Sequence, residues 1–144
     1  MGGNPGQIRA IQGEQAKLKN QEEGIKEGIK QLGKSLEGVK AAGAKQLKEI
    51  DGNLEKLHDL LGNPSVPDGQ KGQVREQISY LKRAKDSIKT QIEAQVKKIN
   101  DEITKLESYL KPIGAAKKQM EKALTMMAGQ AAINMGPEGK NKKG

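Results

Sequence analysis

Few side chains in this chain could do chemistry, and their spacing argues against it. The one histidine, His58, sits in EKLHDLL beside Asp59. A metal centre needs three or four ligands of suitable type, and His58 has no second histidine to join it. There is no cysteine, which removes thiolate ligands, disulfides and a thiol nucleophile. Acid pairs such as Glu22-Glu23 and Asp101-Glu102 are sequence neighbours. On a helix, neighbours diverge by about 100° and do not converge on a substrate. Gly33-Lys34 lacks the rest of a phosphate-binding loop. The expectation is a protein with no catalytic residues, no metal, no cofactor and no small-molecule substrate.

The lysines offer a different chemistry. The formal net charge is +8 and it is unevenly spread. Residues 1–61 hold ten Lys/Arg against nine Asp/Glu, and residues 62–144 hold sixteen against nine. Between residues 71 and 98 eight bases face three acids. Lys82, Arg83, Lys89, Lys97 and Lys98 are therefore candidates for contact with a polyanion, either nucleic acid or an anionic surface. Base recognition would want aromatic platforms and arginine forks. The chain has only Tyr80 and Tyr109, and only Arg9, Arg75 and Arg83. Any nucleic-acid contact is expected to be nonspecific.

The elements that carry these residues follow from periodicity. Up to residue 61, apolar residues recur at steps of three and four, from Ile8 and Ile11 to Leu54, Leu57 and Leu61, with Gln15, Glu22 and Gly43 filling the gaps. From Val74, Ile78 and Leu81 the same rhythm runs to Met120, Leu124 and Met127. This is a heptad pattern, and each half holds one pair of consecutive fours: Val39-Gly43-Leu47 and Ile88-Ile92-Val96. Matching the halves about the middle of the intervening segment gives a constant relation. Leu61 meets Val74, Leu54 meets Leu81, Leu36 meets Ile99 and Ile8 meets Met127, every pair of numbers adding to 135. The two irregular steps meet as well, because Gly43 falls opposite Ile92. Two unrelated helices have no reason to share such a mirror plane. The intervening GNPSVPDGQKG is thus the bend of one hairpin. Gly62 suits a left-handed residue after a helix, Pro64 and Pro67 forbid helix continuation, and Asp68 or Gln73 can cap the second helix.

The expected fold is all-α: a long antiparallel two-helix coiled-coil hairpin. Its parts are a disordered N-terminal tail (1–6), helix 1 (7–61), the bend (62–73), helix 2 (74–130) and a basic disordered C-terminal tail (131–144). Pro112 lies inside helix 2, and it either kinks that helix or starts a short third one. The pairing also has polar defects. Lys85 faces Ile50, Lys117 faces Leu18, Glu22 faces Ile113 and Gln15 faces Met120. At Lys85 the stem is expected to pack while the ammonium reaches water. Helix 1 is rich in glycine, and Gly28, Gly33 and Gly43 mark either a groove for a close partner or tolerated helix weakness.

No run approaches the roughly 18 apolar residues of a membrane span, and the start lacks the apolar core of a secretory signal. Cytoplasmic residence, export by a specialised machine and packaging in a particle all remain open. The bend, LLGNPSVP followed by ISYLKRAKDSIK, resembles that of type III secretion needle subunits. Those are helical hairpins with an Asn-Pro-Ser-x-Pro turn, matched here by Asn63, Pro64, Ser65 and Pro67. The chain is much longer than such a subunit, and in outline it is similar to the stalk proteins of the same export machines. The resemblance implies a subunit or assembly factor of a secretion apparatus, and a virus particle is an equivalent setting for a hairpin of this kind. A protein partner or self-association is expected. The favoured docking residues are Met120, Leu124, Met127, Ile133 and Met135, where the seam weakens and helix 2 outruns its partner.

Overall fold

The computed structural model describes residues 5–135. It contains two helices, α1 (Pro5–Gly62) and α2 (Asp68–Met135), packed against each other as an antiparallel hairpin. The contacts divide into two compact units: Met1–Lys30 with Thr104–Gly144, and Gln31–Ile103.

The register read from the sequence is the register of the fold. All sixteen seam positions of α1, Ile8 to Leu61, and all sixteen of α2, Val74 to Met127, are at least partly buried. Among the other residues whose burial is described, only Gly28, Gly33, Val66, Lys71, Ala84, Gly114, Ala116 and Ala123 are not fully exposed. In the unit formed by residues 31–103, Leu54, Val74 and Ile78 form a small buried core. Ile50, Leu57, Leu61 and Leu81 pack against it. These seven residues are pairs of the constant-sum rule plus Ile50, the partner of Lys85. Further along the same unit, Gly43 lies directly against Ile92. In the unit formed by residues 1–30 and 104–144, Gly28 approaches Leu106, where an added Cβ would stand 3.2 Å from Leu106 Cδ1.

The bend is tighter than the sequence suggests, five residues instead of twelve. Asn63 organises it. Its side-chain Oδ1 accepts a hydrogen bond from the Ser65 amide at 2.9 Å, and its carbonyl accepts one from the Val66 amide at 3.2 Å. An Asn followed by proline is the pairing that such a turn favours. Gly62 does not adopt the left-handed conformation expected of it. The chain leaves α1 through the Asn63 amide, which donates to the Leu60 carbonyl at 3.2 Å and tightens the last turn. The Pro67 carbonyl then accepts from the amides of Gln70 and Lys71, at 3.0 and 3.2 Å, and so starts α2. Pro67 holds the cap position, not Asp68 or Gln73. Asp68 in the first turn contributes its negative charge to the helix N-terminus.

The helix ends differ in the same direction. α1 begins at Pro5, a residue suited to a first turn because it needs no amide partner there. α2 runs on to Met135 through AGQAAINM, where alanine favours helix. Residues 1–4 and 136–144 of the two expected tails lie outside the described residues. Pro112 neither ends α2 nor begins a third helix. It costs about 3 kcal/mol or more in a helix interior, yet it sits at an exposed position, where water can serve the carbonyl it leaves unpaired. Beyond it, Lys117 is held by Glu22 of α1, so the segment after the proline remains in the hairpin.

Candidate functional site

The charged residues of the seam are paired, which the sequence does not reveal. Lys85 Nζ lies 2.5 Å from Asp51 Oδ1, so the ammonium is directed to the neighbour of Ile50 and not simply to water. Lys117 Nζ donates to Glu22 Oε1 at 3.0 Å, with both side chains partly buried. Lys26 approaches the same oxygen at 3.8 Å. The hydrogen bond from Lys117 holds the Glu22 carboxyl below its ordinary pKa, against the opposing effect of burial, with the charges of Lys117 and Lys26 adding to the shift.

Three of the residues expected to dock a partner lie on the seam face of α2. Met120, Leu124 and Met127 are each half-buried against α1. Ile133 and Met135 lie in the last turns of α2, and their side chains lie outside what the structure describes. Among the described side chains of this stretch, the large apolar one left outward is Met126, 65% exposed.

The five candidate polyanion contacts are all exposed, but they are not brought together. Lys82, Lys89 and Lys97 each follow a seam residue and line one flank of the helix pair. Lys98 precedes a seam residue and belongs to the opposite flank, and Arg83 points outward between them. Asp86, Glu93 and Asp101 interleave with them along α2. Residues 31–103 together carry 13 Lys/Arg against 11 Asp/Glu, close to neutral.

A clearer feature is a difference between the two flanks of this unit. From Arg75 to Lys97, residues directly after each seam position are charged on α2: Arg75, Lys82, Asp86, Lys89, Glu93 and Lys97, with Ser79 the exception. Residues directly before each seam position, from Gln73 to Gln95, carry no charge at all. They are Gln73, Gln77, Tyr80, Ala84, Ser87, Gln91 and Gln95. The facing row of α1 runs through Ser35, Gly38, Ala42, Gln46, Asn53 and Leu60, with Glu49 and Lys56 its only charges. Two depressions open on this flank. One, of about 540 Å³, is lined by Gly38, Ala42 and Gln46 of α1 and Gln91 and Gln95 of α2 around the Gly43–Ile92 contact. The other, of about 350 Å³, lies between Asn53, Lys56 and Leu57 of α1 and Gln77, Tyr80 and Leu81 of α2. Tyr80, 66% exposed, and Leu60, 41% exposed, stand on the same side.

No protein-family model, curated protein or solved structure matches the chain.

The uncharged flank was open to discovery in the sequence. Once the seam is assigned, the residues one position before and one after it separate into an amide-rich row and a charged row. Overall composition hides this, because the two rows are interleaved. Among the described residues, no three His, Cys, Asp or Glu side chains come together as a metal site, and no helix is long and apolar enough to cross a membrane.

Proposed function

We propose that the protein is a structural or interaction protein without enzymatic activity, a helical-hairpin subunit or assembly factor of a larger complex. The observation that carries this reading is the thinness of the core. Only Leu54, Val74 and Ile78 are buried hydrophobic side chains among the described residues, and no side chain is fully buried. Two helices shield one face of each seam residue and leave its edges open to a further layer. The Asn63-Pro64-Ser65-x-Pro67 bend supports a setting such as a protein-secretion apparatus, with a virus particle as the alternative setting. In this reading Met120, Leu124, Met127, Ile133 and Met135 join a neighbouring subunit. Methionine adapts to varied surfaces there.

Truncation after Gly114 tests it. The shortened chain should stay helical and lose its assembly by light scattering, or its partner in a pull-down from the native source. A truncated chain that assembles and binds as before places the docking surface elsewhere.

Contact with polyanions is the second reading, favoured by the formal charge of +8. It requires binding that weakens log-linearly with salt. Binding that ignores salt removes it.

A further inference from the structure

We infer that the uncharged row from Gln73 to Gln95 of α2, with the facing row of α1, is where a second copy of this chain docks. The inference deepens the reading of the protein as an assembly subunit and rests on it. Residues 31–103 are close to neutral, and a contact through a surface stripped of charge leaves no ionised group to desolvate. The row from Gln73 to Gln95 is such a surface, and the facing α1 row holds only Glu49 and Lys56, which oppose each other in sign. The charged flank mixes Arg75, Lys82, Lys89 and Lys97 with Asp86 and Glu93 on α2, and covering it would strip water from each of these charges.

The flank is also self-complementary. Two copies related by a two-fold axis present the same patch to each other, so the patch must satisfy its own groups. A carboxamide both donates and accepts hydrogen bonds, and Gln46 with Gln91 and Gln95, and Asn53 with Gln77, place such groups on both rims of the two depressions. Gly38 and Ala42 leave the backbone of α1 open to close approach at the larger depression. Tyr80 and Leu60 supply the exposed apolar anchors, and tyrosine is a residue type enriched where binding energy concentrates.

The size is adequate. Ser35 to Leu60 spans about 38 Å of helix at 1.5 Å per residue, and two helices are about 20 Å across. That gives roughly 750 Å² per copy, against about 800 Å² per partner in a stable complex.

The test uses the full-length chain by sedimentation equilibrium and light scattering over a range of concentrations. Ala42→Lys with Gln91→Lys puts charge on both rows of the uncharged flank, at exposed positions that a monomer tolerates. Ala44→Lys with Ser79→Lys does the same on the charged flank. The expected result is a self-associating wild type, a flank variant at least tenfold weaker in association with unchanged helicity, and a charged-flank variant that associates like wild type. Equal association of all three chains overturns the inference. So does a wild type that is monomeric at the highest concentration. A chain that is monomeric alone yet joins an unlike complex overturns this inference while leaving the proposed function standing. Loss of association only on truncation after Gly114 moves the contact to the end of α2 and has the same effect.

Discussion

Ile92 occupies the space that a side chain at residue 43 would need. A Cβ built on Gly43 would overlap Ile92 Cδ1 and stand 2.8 Å from Cγ1. Gly43→Ala should therefore destabilise the fold. Overpacking costs about 1–3 kcal/mol, while the gain in helix propensity returns about 1 kcal/mol. Gly52→Ala is the control, because nothing lies within 4 Å of its added Cβ. Thermal unfolding should show Gly52→Ala raising Tm and Gly43→Ala lowering it, with the loss reduced in an Ile92→Val background. A rise in Tm on Gly43→Ala would separate the two residues.

Lys85 and Asp51 make a half-exposed ion pair beside Ile50, their side chains 27% and 54% accessible. Such a pair is worth about 0.2–1 kcal/mol and weakens with salt. Lys85→Leu loses it and gains apolar contact worth about 1 kcal/mol if the new side chain packs as a seam residue. The two nearly cancel at low ionic strength. The variant should overtake wild type in Tm as sodium chloride is raised to 0.5 M, a concentration at which the Debye length is below about 8 Å. A variant that stays below wild type at every salt concentration shows that position 85 does not belong to the seam.

Glu22 gives the hairpin a pH dependence. Its folded pKa lies below the ordinary value of 4.5, principally because Lys117 donates to the carboxylate. A lowered folded pKa contributes stability above the unfolded pKa, and that stability is lost as pH falls through the folded value. Glu22→Gln should therefore be less stable than wild type at pH 7, and the difference should shrink below about pH 4.5 as the wild-type carboxylate is protonated. A gap that stays constant from pH 7 to pH 3 would show that Lys117 does not stabilise the charged form.

The register predicts cross-links. Cysteines replacing Leu54 and Leu81, or Leu36 and Ile99, should join within one chain under mild oxidation, because each pair occupies facing seam positions. Peptide mapping reads the outcome. Disulfides at a consistently shifted register would contradict the hairpin described above.

The fold was legible because two signals agree. The spacing of apolar residues defines a face on each helix, and the double steps of four at Gly43 and Ile92 mark corresponding levels. Neither depends on long side chains. The ion pairs were less legible for the opposite reason. Lys85 has a long flexible stem, and only three-dimensional packing selects Asp51 as its partner. The bend was overestimated because the seam rhythm of helix 2 begins only at Val74, which leaves Gly69 and Gly72 on the bend side. Once the Pro67 carbonyl engages two amides, both glycines fall within the first turns of α2, where the cost of each is about 1 kcal/mol and tertiary contact can carry it. Met120, Leu124 and Met127 follow the seam rhythm and lie half-buried on α2. Met126 stands outside that rhythm and is exposed.

The five-residue bend also bears on how the chain reaches its native state. Closing a short loop costs little entropy, and each doubling of loop length adds only about 0.6 kcal/mol. The best-buried residues, Leu54, Val74 and Ile78, lie next to that bend, so the earliest contacts available are also the most rewarding. Pairing can nucleate there and propagate outward one turn at a time, each step local to the last, which is the kinetic situation of fast-folding helical proteins. Gly43 and Ile92 then act as a checkpoint along the zipper. A chain that paired one heptad out of step would set Ile92 against Leu36 or Ile50 and leave Gly43 facing Ile99 or Lys85, so the misaligned strand would stall at that level and retrace before the remaining turns could close.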